Sequence, residues 1–238
     1  MKKTFVSKLI LAGLILTMLL SCFVACDKDD TSVGKDTAQG DDANGGQAAT
    51  PTDSKDMNDM AAEINAWKAE DFEETSEKTE YLKITVTGYG DIVIRLRRDI
   101  APSNVGGIRM LIPYGWYNGL TFHNVTDGYI QGGCPNGDGT GVSGNSMRGE
   151  FADNNWDNPL KHIRGVVSAF RFEDDPNSAS CQFLILTKDC PRFDGNRSAM
   201  GYVVAGMDVV DAIAAVETTD GKPNEKVVME KVCFVKFK

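Results

Sequence analysis

Chemistry at neutral pH is most often carried by histidines, carboxylates and thiols, and this chain holds few of them in patterns that react. It has two histidines, His123 in TFHNV and His162 in NPLKHIRGVVS. A serine hydrolase needs a nucleophile beside such a base, and no G-x-S-x-G elbow occurs. His123 reads more simply as a strand histidine satisfied by hydrogen bonds, and His162 as a loop-to-strand residue. Glu173, Asp174 and Asp175 stand in a row before Pro176, the pattern of a solvated turn. Gly139 to Gly144 spells G-x-G-x-x-G, but NSMRGEFADNN after it is no apolar helix, so the glycines read as a loop needing positive φ. No C-x-x-C pair or Cys/His cluster is present, so a zinc site is not expected.

The elements that would position these residues divide the 238-residue chain into unlike parts. Lys2, Lys3 and Lys8 precede the apolar LILAGLILTMLLSCFVA, the pattern of an export signal over residues 1–25. Small residues stand before both Cys22 and Cys26, which resembles a bacterial lipoprotein signal. Cys26, where the apolar run stops at Asp27, is the expected lipidation site, giving a membrane anchor outside the cytoplasm. An uncleaved anchor helix or plain secretion fits the same residues. Residues 26–57 are polar, rich in Gly, Asp and Thr, and read as a flexible tether. Residues 58–80 have helix-forming composition, with Ile64, Trp67 and Phe72 as possible anchors.

From residue 81 the pattern changes. YLKITVTGYGDIVIRLRRD alternates around Gly88-Tyr89-Gly90-Asp91, as a hairpin does. A helix is expected from Pro102, with Val105, Ile108, Leu111 and Ile112 on one face and Gly115 at its end. DVVDAIAAVE predicts a second, with Val209, Val210, Ile213 and Val216 inward. Between them lie short apolar runs separated by Gly/Asp/Asn/Pro loops. Many strands with two helices predict a closed antiparallel barrel, because closure removes exposed edges. A formal charge of −9, without a Lys/Arg stripe, argues against nucleic acid. Of the cysteines after the signal, Cys134, Cys181, Cys190 and Cys233, spacing assigns no disulfide.

YNGLTFH, IQGG, GDGTG, DPNSAS followed by QF, and MDVVDAI occur in an order and spacing that resemble the cyclophilin family of peptidyl-prolyl isomerases, over about residues 81–238. The resemblance implies a mainly β fold, a closed eight-stranded antiparallel cyclophilin-like barrel capped by two α-helices, with no cofactor. It implies that proline-containing segments bind on the barrel's outer face. Carried over by position, Phe122 would line the proline pocket, flanked by Tyr129 and Ile130 and closed by Leu184 and Phe193. Gln131 and Gln182 would offer amides to the peptide, and Phe170 and Arg171 would form the rim.

Several positions depart from the family pattern. Asn124 stands at its arginine, Leu184 at its phenylalanine, Arg192 at its tryptophan or histidine, and Arg197 where histidine or tyrosine is common. The run from Phe122 to Gln131 is also one residue short. Asn124 would act with Phe122 and Gln131 as the catalytic set, with Arg171 or Arg197 as the replacement cation. The function expected is prolyl isomerisation assisting exported proteins. The alternative is a module that binds proline segments with weak turnover or none.

Overall fold

A computed structural model describes residues 54–238. The expected signal, Cys22, Cys26 and the tether as far as residue 53 lie outside the described residues. In chain order the elements are helix α1 (Ser54–Glu63), strands β1 (Phe72–Glu74), β2 (Tyr81–Val86) and β3 (Gly90–Leu96), helix α2 (Pro102–Leu111), and strands β4 (Thr121–Val125), β5 (Tyr129–Gly132), β6 (Val166–Ala169), β7 (Phe183–Leu186) and β8 (Ala199–Ala205). Helix α3 (Met207–Ala214), the short β9 (Thr218–Thr219) and β10 (Lys222–Pro223), and the long β11 (Val227–Phe237) complete the chain.

Alternation dictates the sheet. In β2, Leu82, Ile84 and Val86 are buried while Tyr81, Lys83 and Thr85 are half-buried, so one row of side chains faces a core. The strands pair in the order β11-β2-β3-β8-β6-β7-β5-β4, and β4 returns to β11 through Phe122 opposite Val227. That last pairing closes an eight-stranded antiparallel barrel. Its interior holds Leu82, Ile84, Ile94, Phe122, Ile130, Phe183, Ile185 and Met229.

The two expected helices complete this interior. Val105 and Ile108 of α2, and Val209, Val210 and Ile213 of α3, join the same core, whereas Leu111 and Val216 are only partly buried. At Gly107 inside α2 a Cβ would meet the Met147 sulfur, which rests on the helix there. The carboxylate of Glu150 accepts the backbone N–H groups of Ser103 and Asn104, filling orphan donors in the first turn of α2.

The lead-in segment docks, but its boundaries differ from the sequence expectation. Helix α1 begins at Ser54, inside the expected tether, and stops at Glu63, after which the chain turns at Asn65 with φ 57° and becomes the strand β1. Tertiary bonds override helix propensity here. Trp67 N–H donates to the Val204 carbonyl, and β1 pairs with the end of β11. Asn65 Oδ1 accepts the N–H groups of Gly206 and Met207 at the start of α3. Glu63 accepts from Arg95 and from the Tyr202 hydroxyl, and Phe72, Tyr81 and Phe237 form an aromatic cluster. The lead-in thereby covers part of the outer barrel face, where Val93, Val166, Tyr202 and Val235 form a second apolar cluster.

Candidate functional site

The face of each residue on β4 and β5 decides what it can touch. Phe122 opposes Gly132, Asn124 opposes Gln131 and Val125 opposes Ile130, so a bulge at His123 sets two steps of β4 against one of β5. The register it sets corrects two assignments. Phe122, expected in the proline pocket, is buried in the interior and meets Phe183 edge-on at 6.0 Å. Ile130, expected beside it, is fully buried in the same core opposite Ile185. Strand alternation turns Tyr129 and Gln131 to the outer face, against Leu186 and Leu184.

The outer face is therefore floored by the half-buried Tyr129 and the buried Leu184 and Phe193. The Tyr129 and Phe193 rings lie 5.9 Å apart, and Leu184 is buried in the outer cluster. Phe170, directly after β6, is half-buried at the margin; its N–H donates to the Gln182 carbonyl, and its ring meets Phe172 at 5.5 Å.

Three side-chain amides run along one edge of this floor. Asn124 Nδ2 donates to Gln131 Oε1 at 3.1 Å, and Gln131 Nε2 donates to Gln182 Oε1 at 2.9 Å. Gln182 Nε2 donates to the carbonyls of Gly139 and Gly141, both at 2.8 Å. Both hydrogens of Gln182 are thus committed, so it positions its neighbours and has no donor left for a peptide. The loop it holds starts at Gly133, whose φ of 87° and closeness to the Cys181 carbonyl exclude a side chain. Gly139 and Gly144 do adopt positive φ, as a loop reading requires.

Sequence reasoning missed the network beneath Phe193. His162 Nδ1 lies 3.0 Å from Asp194 Oδ1, and its Nε2 lies 3.0 Å from Ser168 Oγ. Asp, His and Ser in line suggest a hydrolase, yet Ser168 is fully buried and its hydroxyl donates to the Ser198 carbonyl. The line instead pins the segment carrying Phe193 and Arg197. His162 N–H also donates to Asp194, and the imidazole meets Phe193 edge-on at 5.8 Å. Nothing in the spacing of residues 162, 168 and 194 signalled it. His123 departs from expectation too: buried at the bulge, neither ring nitrogen has a hydrogen-bond partner among the described residues.

Burial lowers the basicity of both histidines, outweighing Asp194 at His162. The unfolded chain then takes up protons near the ordinary histidine pKa of about 6.5, and the folded chain does so only at lower pH. Stability is expected to fall as pH drops through 6 toward 5, by at most about 1.4 kcal/mol per pH unit for each histidine. Thermal melts from pH 7.5 to 5 should show this, with the slope reduced in His162→Gln. A flat profile would contradict it.

The arginines are held, and not equally. Arg171 donates to the carbonyls of Asn196, Phe172 and Glu173, so it staples two loops, with its guanidinium 5.4 Å from the Phe151 ring centre. Arg197 is 7% exposed; it donates to the Arg171 carbonyl and pairs with Glu173. Its guanidinium lies 4.9 Å from the Phe193 ring centre and 6.0 Å from that of Phe170. Neither Arg171 nor Arg197 bonds Asn124.

Comparison with known proteins agrees with this fold. Residues 81–233 match the family described as cyclophilin type peptidyl-prolyl cis-trans isomerase. A peptidyl-prolyl cis-trans isomerase of Helicobacter pylori is 38% identical over 144 residues, covering 59% of this chain and 84% of its own length. A probable peptidyl-prolyl cis-trans isomerase of Brucella suis is 36% identical over 131 residues, covering 52% of this chain and 66% of its own. Among solved structures, a Cryptosporidium parvum cyclophilin type peptidyl-prolyl cis-trans isomerase, crystallised in the presence of the dipeptide Ala-Pro, superposes with a TM-score of 0.59 at 24% identity. That match covers 64% of this chain and 97% of the other.

Proposed function

Because the chain belongs to the cyclophilin-type peptidyl-prolyl cis-trans isomerase family, we propose that it turns X-Pro bonds in extended segments laid across the outer barrel face, acting on exported proteins from a lipid anchor at Cys26. The observation that carries the substrate reading is the line of amides from Asn124 to Gln182 beside the floor of Tyr129, Leu184 and Phe193. A prolyl ring is apolar and its flanking carbonyls are acceptors, so this pairing of surfaces suits it. The Ala-Pro dipeptide present with the Cryptosporidium protein supports the same choice.

Rotation about an X-Pro amide makes and breaks no covalent bond. The barrier of roughly 18–20 kcal/mol is lost resonance, so catalysis consists of favouring the twisted amide. Tyr129, Leu184 and Phe193 hold the ring, which fixes one side of the rotating bond. Asn124 uses one Nδ2 hydrogen on Gln131 and keeps the other for a prolyl nitrogen or carbonyl. Gln131 likewise retains one donor. A second reading, binding of proline segments without turnover, is favoured by the neutral and short Asn124.

The anchor rests on the basic residues, the apolar run and Cys26. Full-length protein made in bacteria fed labelled palmitate is expected to carry label, and Cys26→Ser to lose it. Label retained in Cys26→Ser and lost in Cys22→Ser would move the site to Cys22. Absence of label from the wild type would contradict anchoring.

A further inference from the structure

We infer that Arg197 selects proline segments bearing an acidic side chain within two residues of the proline. The inference rests on the reading that this face holds such segments. An arginine buried to 7% exposure normally has each donor satisfied, yet Arg197 Nε has no partner among the described residues. Burial disfavours its charge more than any other influence, and Arg171 adds repulsion. Arg192 brings a third guanidinium, 5.1 Å from the Phe193 ring centre on which Arg197 also rests. Arg192 and Arg197 thus meet at the floor residue Phe193, with Arg171 close enough to repel Arg197, in a chain whose formal charge is −9.

Their acidic compensation is thin. Asp194, the nearest carboxylate along the chain, is engaged by His162 and Lys161. Arg197 is left with Glu173, whose side chain is 76% exposed. A pair whose acid stands in water contributes little and is readily exchanged. Glu173 is therefore a replaceable latch.

Geometry sets the position of the incoming acid. A prolyl ring on Phe193 would lie beside the Arg197 guanidinium, which must slide aside to admit it. An extended chain advances about 3.3–3.6 Å per residue, so a carboxylate one or two residues from the proline can reach that guanidinium. Such an acid would replace Glu173, and a fork of donors suits a carboxylate. Glutamine at the same place would offer a neutral, weaker acceptor.

Titration of the full chain by NMR with short Ala/Pro peptides, carrying Glu or Gln at each position within two residues of the proline, tests this. At least one Glu peptide is expected to bind about ten-fold more tightly than its Gln counterpart at low salt, with the difference shrinking in about 0.5 M salt. Arg197→Gln should reduce the difference to less than about two-fold, Arg197→Lys should keep part of it, and Glu173→Gln should enlarge it. Melting curves establish that each variant is folded, and Arg197→Lys carries the comparison if Arg197→Gln is not. Equal binding of Glu and Gln peptides at every position, or an undiminished preference in folded Arg197→Gln or, where that variant does not fold, in folded Arg197→Lys, overturns the inference alone. Failure of every peptide to bind overturns the reading of the site as well.

Discussion

Asn124→Arg is expected to raise turnover of an Ala-Pro peptide by about 10²-fold, the scale of gaining one well-placed donor in a catalytic site. The amide of Asn124 reaches Gln131 at 3.1 Å on the outer face, so the position is already aimed along the floor. Its limits are chemical: a neutral donor on a short stem, beside Gly221, whose hypothetical Cβ would lie 2.6 Å from Asn124 Oδ1. As an X-Pro bond twists, the prolyl nitrogen becomes a better acceptor, and a charged donor favours that state more than the planar one. Arginine can keep the bond to Gln131 while offering further hydrogens to the peptide. Rates from exchange NMR, with melting curves to establish folding, measure the effect. An unchanged rate in a folded variant would show that the donor at 124 does not limit turnover.

Gln182→Leu is expected to lower stability by about 3 kcal/mol or more and to abolish peptide binding. Gln182 is almost fully buried, and the substitution strands three partners: the carbonyls of Gly139 and Gly141, and Gln131 Nε2. A buried polar group left unpaired costs about 1–3 kcal/mol, and leucine restores none of the bonds. The loss also reaches the site, because the loop from Gly139 to Gly141 and the orientation of Gln131 both depend on this amide. Urea unfolding and peptide titration measure the two effects. A variant with wild-type stability and binding would show that the amide line does not organise the site.

The sequence was informative where period and punctuation act alone. The Gly88 hairpin, both capping helices and the closed barrel follow from alternation, Pro102, Gly115 and edge closure, and the structure has them, although α2 stops at Leu111 and a 3-10 turn over Ile112–Tyr114 carries the chain to Gly115. Site residues were legible by type but less so by face. Phe122 and Ile130 sit next to functional positions, yet one bulged residue at His123 decides which of their neighbours turns outward. Gln182 was identified as polar and near the peptide, but its saturation by two loop carbonyls depends on a contact 41 residues away in sequence. The pairing of Arg197 with Glu173 and the line from Asp194 through His162 to Ser168 are long-range, and no local pattern encodes either. Residues 58–80 look helical by composition, yet the α-helix stops at Glu63, the Trp67 N–H bonds Val204, and Phe72–Glu74 become a strand paired with β11.

On the function proposed above, this outer face catalyses prolyl rotation without a charged donor at position 124. The most direct test is two-dimensional exchange NMR on an Ala-Pro peptide with the wild-type protein present at about one-hundredth of the peptide concentration. Uncatalysed X-Pro exchange takes tens to hundreds of seconds at 25 °C, so catalysis would appear as cis–trans cross-peaks at sub-second mixing times. Those cross-peaks are expected with the wild-type protein, and they are expected to grow in Asn124→Arg. Their absence, with peptide shifts that still saturate as protein is added, would contradict turnover and leave a barrel that only binds.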